Sequence, residues 1–270
     1  MREDLFGPSA WGPLALALAD FHAGSRTAIL RVHTDEGELD PMPVAVFFRG
    51  REDLRLVDRE ALARVRGRVL DGGAGAGSMA LLLQAHGVDV TAVEVIPEAV
   101  EIMRARGVLD ARVGRLEDLP EEGAFDTVLL LMNGTSLAGT LAGFPPLLHA
   151  LARLMAPGGQ VLVDSTDLGA AGGGEDQEGR AGGESEEARD GEEARDDDPD
   201  RGGEENGDEG YPGELQYQLE YRGTRGAPFP QLFVDPGTLT RMAGEEGWEV
   251  EVVWRGEEGE YLARLSRPGR

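Results

Sequence analysis

The chain contains no cysteine and no lysine. Without cysteine there can be no disulfide, thiolate metal site, cysteine-ligated iron–sulfur cluster or cysteine nucleophile. Such a composition is compatible with a reducing cytosol. No apolar run approaches the roughly 18 residues needed to span a bilayer. The segment Met1-Arg2-Glu3-Asp4 is acidic and leads into Pro8 and Trp11. That is not the basic-then-apolar layout of a signal peptide, so a cytoplasmic location and no membrane partner are expected. Positive charge is also scarce: 26 basic residues, all arginine, face 51 acidic ones, for a net charge of −25. A chain this acidic repels phosphates over long range, which disfavours nucleic acid as a partner.

What is present fits one substantial domain with an added cap or insert, since 270 residues are marginal for two full domains. Residues 169–210 stand apart. They hold 12 glycines, 17 acidic residues and 4 arginines, and no Val, Ile, Leu, Met or aromatic residue. Nothing there offsets the entropy of ordering, so a disordered loop is expected. Either it is a solvated insert with no specific role, or it binds a basic partner.

The rest alternates strands and helices. Val69–Asp71, Val88–Glu94, Ala111–Val113, Phe125–Met132 and Gln160–Asp164 read as strands. Ser78–His86, a helix opened by Pro97, and Leu147–Met155 read as the helices between them. This alternation predicts an α/β fold with a Rossmann-like, mostly parallel sheet. Trp248–Trp254 and Tyr261–Leu265 would close it as an antiparallel pair. Leu14–Phe21 reads as a short helix, and Thr27–His33 with Val44–Phe48 as a hairpin. Glu214–Tyr221 with Gln231–Val234 reads as a second hairpin, before a helix capped by Asp235. The expected organisation is an N-terminal cap (1–57), a core (58–168), the acidic insert (169–210), a β-hairpin insert (211–235) and the end of the core (236–270).

The sharpest motif is Asp71-Gly72-Gly73-Ala74-Gly75-Ala76-Gly77, where the first core strand turns into the first core helix. Glycines there permit positive φ and let a ligand approach backbone amides at a helix N-terminus. A frame of Gly75-x-Gly77-x-x-Ala80 could be read as a dinucleotide fingerprint. The carboxylate of Asp71 argues otherwise, because it would face a pyrophosphate. A ligand bearing an ammonium and a sulfonium gains from it instead. Glu94, at the carboxyl end of the second strand and followed by Val95, is placed to accept hydrogen bonds from ribose hydroxyls.

On Val69–Gly77, Val93-Glu94, Gly114–Pro120, Phe125–Val128 and Leu154–Val163, the stretch 67–164 resembles the core of class I S-adenosylmethionine-dependent methyltransferases. The resemblance implies S-adenosyl-L-methionine as cofactor. Asp71 and the loop Gly72, Gly73, Ala74, Gly75 and Gly77 would hold its methionine part, and Glu94 with Val95 its ribose. Leu116 would meet the adenine through its backbone. The family often has an aspartate where Arg115 stands, so Glu117 or Asp118 would take over as acceptor for the adenine amine.

Ligands of open α/β sheets sit beyond the carboxyl ends of the strands. Asn133, after the fourth strand, either orients a nucleophile or cofactor, or forms an Asn-Gly turn. The Asn/Asp-Pro-Pro-Tyr signature of DNA amino methylation is absent there. Asp164-Ser165-Thr166-Asp167 either lines the substrate mouth or begins a loop. Phe47-Phe48-Arg49 would pack over the cofactor or belong to the core, and the hairpin aromatics Tyr217, Tyr221, Phe229 and Phe233 would form a substrate cap or bury against the N-terminal segment; Phe48 and Tyr217 are the substrate-contact candidates. The seven arginines of 49–68, interleaved with Glu52, Asp53, Asp58 and Glu60, predict a solvated helix face. His22, His33, His86 and His149 show no metal-ligand spacing, and no catalytic base is identified. The expected reaction is methyl transfer to a small molecule. The alternatives are a nicotinamide (NAD(P))-dependent oxidoreductase and a non-catalytic adenosyl-binding module.

Overall fold

A computed structural model describes residues 8–34, 37, 39–171 and 210–268. The chain begins with α1 (Pro8–His22), β1 (Ile29–Thr34) and β2 (Leu39–Pro43). Two 3-10 turns, Val44–Phe48 and Arg51–Asp53, lead into α2 (Leu56–Leu62). Then come β3 (Val69–Gly72), α3 (Ser78–Ala85), β4 (Val90–Glu94), α4 (Pro97–Arg106) and β5 (Ala111–Val113). They are followed by β6 (Phe125–Leu130), α5 (Phe144–Leu154), β7 (Met155–Thr166) and the helical turn α6 (Leu168–Ala171). After the acidic tract lie β8 (Glu214–Tyr221), β9 (Thr224–Arg225), β10 (Phe229–Leu232), α7 (Pro236–Glu245), β11 (Glu249–Arg255) and β12 (Glu260–Ser266).

The main sheet has seven strands in the order β11-β12-β7-β6-β3-β4-β5. β3 to β7 run parallel, while β12 and β11 close the sheet antiparallel. This is the Rossmann-like sheet with a closing hairpin that the alternation predicts. β6 carries no alternation because it is covered on both faces: Val128, Leu129 and Leu130 are all buried. α5 shows the opposite pattern, with Phe144, Leu147, Leu148, Leu151 and Leu154 on one buried stripe. Each of those side chains contributes about 1.5–3 kcal/mol by leaving water. Pro97 opens α4, and Gly107, at φ 101°, ends it. Asp235 caps α7 by accepting from the Gly237 and Thr238 amides at 2.8 and 2.9 Å. The order of strands switches at β3, which pairs with β4 on one side and β6 on the other. Ligands of such sheets bind beyond that point.

A second, antiparallel sheet follows the order β10-β8-β1-β2, with β9 attached to β8. Two expectations are corrected here. The N-terminal and late hairpins are not separate, because β1 pairs with β8, Val32 facing Leu219. Residues 44–48 are not a strand but a 3-10 turn after Pro43, whose missing amide hydrogen cannot extend a ladder. β2 is instead Leu39–Pro43. α1 lies on this sheet, with Leu14, Leu18 and Phe21 in a cluster with Leu30, Leu219 and Phe229. The disordered-loop expectation for 169–210 lies almost wholly outside the described residues; its first residues, up to Ala171, form α6. No described helix is long and apolar enough to cross a membrane.

Candidate cofactor and acceptor site

The loop after β3 is pinned to the neighbouring strand. The Gly73 and Ala74 amides donate to the Val93 carbonyl at 2.9 and 3.1 Å. Gly77, at φ 79°, opens α3, and a Cβ there would lie 2.8 Å from both Met103 and Val108. Gly75, at φ 54°, sits beneath Phe47, 3.4 Å from where its Cβ would be. Phe47 is fixed in turn, since the Ser78 hydroxyl donates to its carbonyl at 2.8 Å. Only glycine permits both the left-handed backbone and this close cover.

Glu94 is buried and accepts from backbone amides through both of its oxygens. Its Oε2 accepts from the Gly75 amide at 2.9 Å, and its Oε1 from Val95 and Ile96 at 2.7 and 3.1 Å. Burial pushes its pKa up, and these three amides pull the other way. Asp71 is only 4% exposed. Among the described residues its Oδ2 accepts no hydrogen bond. Burial first, and the negative charge of Glu94 second, push its carboxyl up to about 7, against a weaker pull from the Ala80 amide. A buried carboxylate with an empty acceptor is costly, and a cationic ligand would remove that cost.

Two cavities meet at this loop. The first is walled by Gly73, Glu94, Val95, Leu116 and Glu117 on the strand side. Its far wall is Trp11 and Leu14 of α1, Ser136 and Leu137 after β6, and Phe229 and Gln231 of β10. The second lies under Phe47, with Arg49, Asp71, Ala74, Gly75 and Met132 around it. It therefore holds the open acceptor of Asp71, the Asp58 carboxylate and the largely buried Arg49 guanidinium, whose pKa burial lowers. A larger cavity of about 670 Å³ between α2 and α3 contains none of the sequence-predicted site residues.

The carboxyl ends of β6 and β7 are braced by a buried ionic network. Met132 and Asn133 both take positive φ, at 66° and 61°, which costs energy in residues with a Cβ. Asp164 holds that turn by accepting from the Met132 and Gly134 amides at 3.2 and 3.0 Å. Arg55 bridges Asp164, at 3.1 Å, to the buried Asp58, at 2.7 Å. Arg49 approaches Asp58 at 3.6 Å.

The sequence-predicted residues divide accordingly. Gly73, Glu94, Val95, Leu116 and Glu117 line the first cavity; Asp71, Ala74 and Gly75 line the second. Gly72 lies behind them, where a Cβ would strike Leu130 at 2.8 Å, and Gly77 packs against α4. Asn133 lines neither cavity. Its Nδ2 donates to the Leu232 carbonyl at 3.1 Å and its Oδ1 accepts from Thr135 and Ser165, so it forms the turn and ties β10 down. Phe48 is corrected from substrate contact to core, because its ring stacks on Phe21 at 4.5 Å under the Arg106 guanidinium. Its neighbour Phe47 faces the loop. Tyr217 packs on Phe229 and Phe233 and lines neither of these two cavities. Asp164 and Ser165 are strand residues, not the start of a loop. The solvated face expected for 49–68 fails at Asp58, 1% exposed, where two arginines converge. Phe229 lines the first cavity as one of the expected cap aromatics, whereas Trp11 and Gln231 were not foreseen as lining residues. Their one signal was the predicted cap around the core.

Known proteins carry the same design. A family model described as a methyltransferase domain matches residues 48–251. A SAM-dependent methyltransferase from Bacteroides fragilis, solved with S-adenosyl-L-homocysteine, is 33% identical with a TM-score of 0.77, covering 96% of each chain. The CcbJ methyltransferase of Streptomyces caelestis shares the fold at 18% identity and a TM-score of 0.54, over 78% of this chain and 94% of that one. The ubiquinone biosynthesis O-methyltransferase of Xanthomonas oryzae pv. oryzae is 33% identical over 105 residues, 36% of this chain and 42% of the other. The chain thus spans about two fifths of the length of the curated relatives it matches. The choice between a cationic nucleoside and a dinucleotide falls to the nucleoside. The chain belongs to the class I S-adenosylmethionine-dependent methyltransferase family.

Proposed function

We propose that this protein moves the methyl group of S-adenosylmethionine onto a small molecule held between the strand ends and the cap of α1 and β10. The observation that carries the site assignment is Asp71, buried and with an unfilled acceptor, in a cavity that also holds Arg49. An amino acid needs that pair: a carboxylate for its ammonium and a guanidinium for its carboxylate. Glu94 already accepts from three amides, and of a carboxylate's about four acceptor positions one is left for a ribose hydroxyl. Leu116 and Val95 would flank the adenine, with Glu117 within the same wall.

Bound S-adenosylmethionine supplies a methyl carbon made electrophilic by its positive sulfur. With it bound, an acceptor lone pair would take the methyl group, the electrons of the broken carbon–sulfur bond would stay on sulfur, and the acceptor's proton would leave to solvent. The chain's part is to hold both partners in line and to exclude solvent. Phe47 over the loop and the wall of Trp11 and Phe229 do the excluding. The absence of cysteine fits a cytoplasmic enzyme.

Calorimetric titration with S-adenosylhomocysteine, with NAD as control, tests this. Micromolar binding of the former alone is expected. Tighter binding of NAD, or loss of neither ligand in an Asp71→Ala variant, would remove the assignment.

A further inference from the structure

The first cavity has two unlike halves. The strand side carries the charges of Glu94, Arg115 and Glu117. The cap side carries none. Apart from the Trp11 indole, its polar side chains are Ser136 and Gln231, set among leucines and Phe229.

Gln231 is placed there by strand alternation. On β10, Phe229 and Gln231 line the cavity, while Leu232 is sunk in the main core. The end of this strand is locked from behind. The Leu232 carbonyl accepts from Asn133 Nδ2 and Thr135 Oγ1 at 3.1 and 3.0 Å. The Val234 amide donates to Ser165 at 2.9 Å, and the Tyr261 hydroxyl donates to the Val234 carbonyl at 2.5 Å. Phe229 packs on Trp11 with ring centroids 4.5 Å apart. Three buried side chains, Thr135, Ser165 and Tyr261, and the half-buried Asn133 thus hold the backbone that presents Gln231. Yet among the described residues the Gln231 amide makes no hydrogen bond, although it is half-buried.

A primary amide offers donors and an acceptor at once. Covering it with a purely apolar molecule would leave those groups desolvated and unmet. Covering it with an ion would bury a charge in a half-site without a counter-charge. Trp11 and Phe229 add ring surfaces suited to a flat apolar body.

From this arrangement we propose that Gln231 determines acceptor specificity, and that the acceptor is an uncharged, mainly apolar aromatic molecule whose polar group pairs with its amide. The proposal rests on the assignment of the strand-side half to the cofactor.

The test uses the full chain saturated with S-adenosylhomocysteine and titrated by calorimetry with 4-methylphenol, 4-methylbenzoate and 4-methylbenzylammonium. The phenol is expected to bind, with both ions at least tenfold weaker. Gln231→Leu, similar in size, weakens the phenol at least fivefold and leaves S-adenosylhomocysteine within twofold. Gln231→Glu draws the ammonium at least tenfold tighter than the parent does. Absence of phenol binding, an ion binding as well as the phenol, or a phenol affinity indifferent to both substitutions would overturn the proposal. So would a parallel loss of S-adenosylhomocysteine in Gln231→Leu, which would assign the amide to the cofactor. Failure of the parent to bind S-adenosylhomocysteine at the saturation step would instead remove the cofactor assignment, and this inference with it.

Discussion

Replacing Asp71 with asparagine is expected to stabilise the cofactor-free protein and to weaken its grip on the cofactor. The carboxyl of Asp71 is raised from 3.8 to about 7 in the folded state. The folded chain therefore binds this proton more tightly than the unfolded chain. Between those two values stability falls as pH rises, because the unfolded carboxylate ionises freely while the buried one resists. The resulting penalty grows from under about 1 kcal/mol at pH 4 to about 4 kcal/mol at pH 8. Asparagine carries no such charge. Its unfolding free energy should gain on the parent by about 3–4 kcal/mol between pH 4 and pH 8, whatever constant its own burial adds. Urea unfolding followed by circular dichroism at several pH values measures this directly. Binding moves in the opposite direction. Losing a hydrogen bond to a charged group, worth about 1.5–3 kcal/mol, weakens S-adenosylhomocysteine roughly 10- to 150-fold. A stability difference flat with pH would refute the reasoning about burial. A variant that binds S-adenosylhomocysteine as well as the parent would show that Asp71 does not face the ligand.

Three further outcomes follow from the packing. Gly77→Ala must hold a left-handed backbone while its methyl meets Met103 and Val108 at 2.8 Å, and should lose about 2–4 kcal/mol in urea unfolding. Asp164→Ala leaves Arg55 unbalanced and the turn at Met132 and Asn133 unbraced; a loss of about 3–5 kcal/mol is expected by the same measurement. Phe48→Ala removes a ring stacked on Phe21 and should cost about 2 kcal/mol. It should leave S-adenosylhomocysteine affinity within twofold by calorimetry, whereas a large loss of binding would return Phe48 to the site.

The parallel sheet was readable because its signals are local. Each strand–helix unit has its own periodicity, and Gly107 and Asp235 punctuate helices within a few residues. The glycine loop was readable for the same reason. The second sheet was not, because β1 and β8 are distant in sequence and no local pattern reports their pairing. Val44–Phe48 misled through its apolar run, where Pro43 and the need to set Phe47 over the loop decide the conformation. The run of arginines and acids from 49 to 68 misled in a different way. Charge order along a chain shows that partners are near, not whether they pair in solvent or inside, as Asp58 does. Phe48 and Phe47 were one residue apart in the prediction, and only the turn decides which of them faces the ligand.

The pairing of β1 with β8 also orders events during synthesis. His33 lies opposite Gln218, so the first strand emerges roughly 180 residues before its partner. At about 5–20 residues per second, that is a wait of roughly ten to forty seconds. The nascent chain carries β1 with its β8-facing edge unpaired through that interval, while the parallel strands β3 to β7 assemble behind it. The cap-side wall, which holds Phe229 and Gln231 of β10, is among the last parts to close, and a ribosome that stalls before β8 leaves that half of the cavity open.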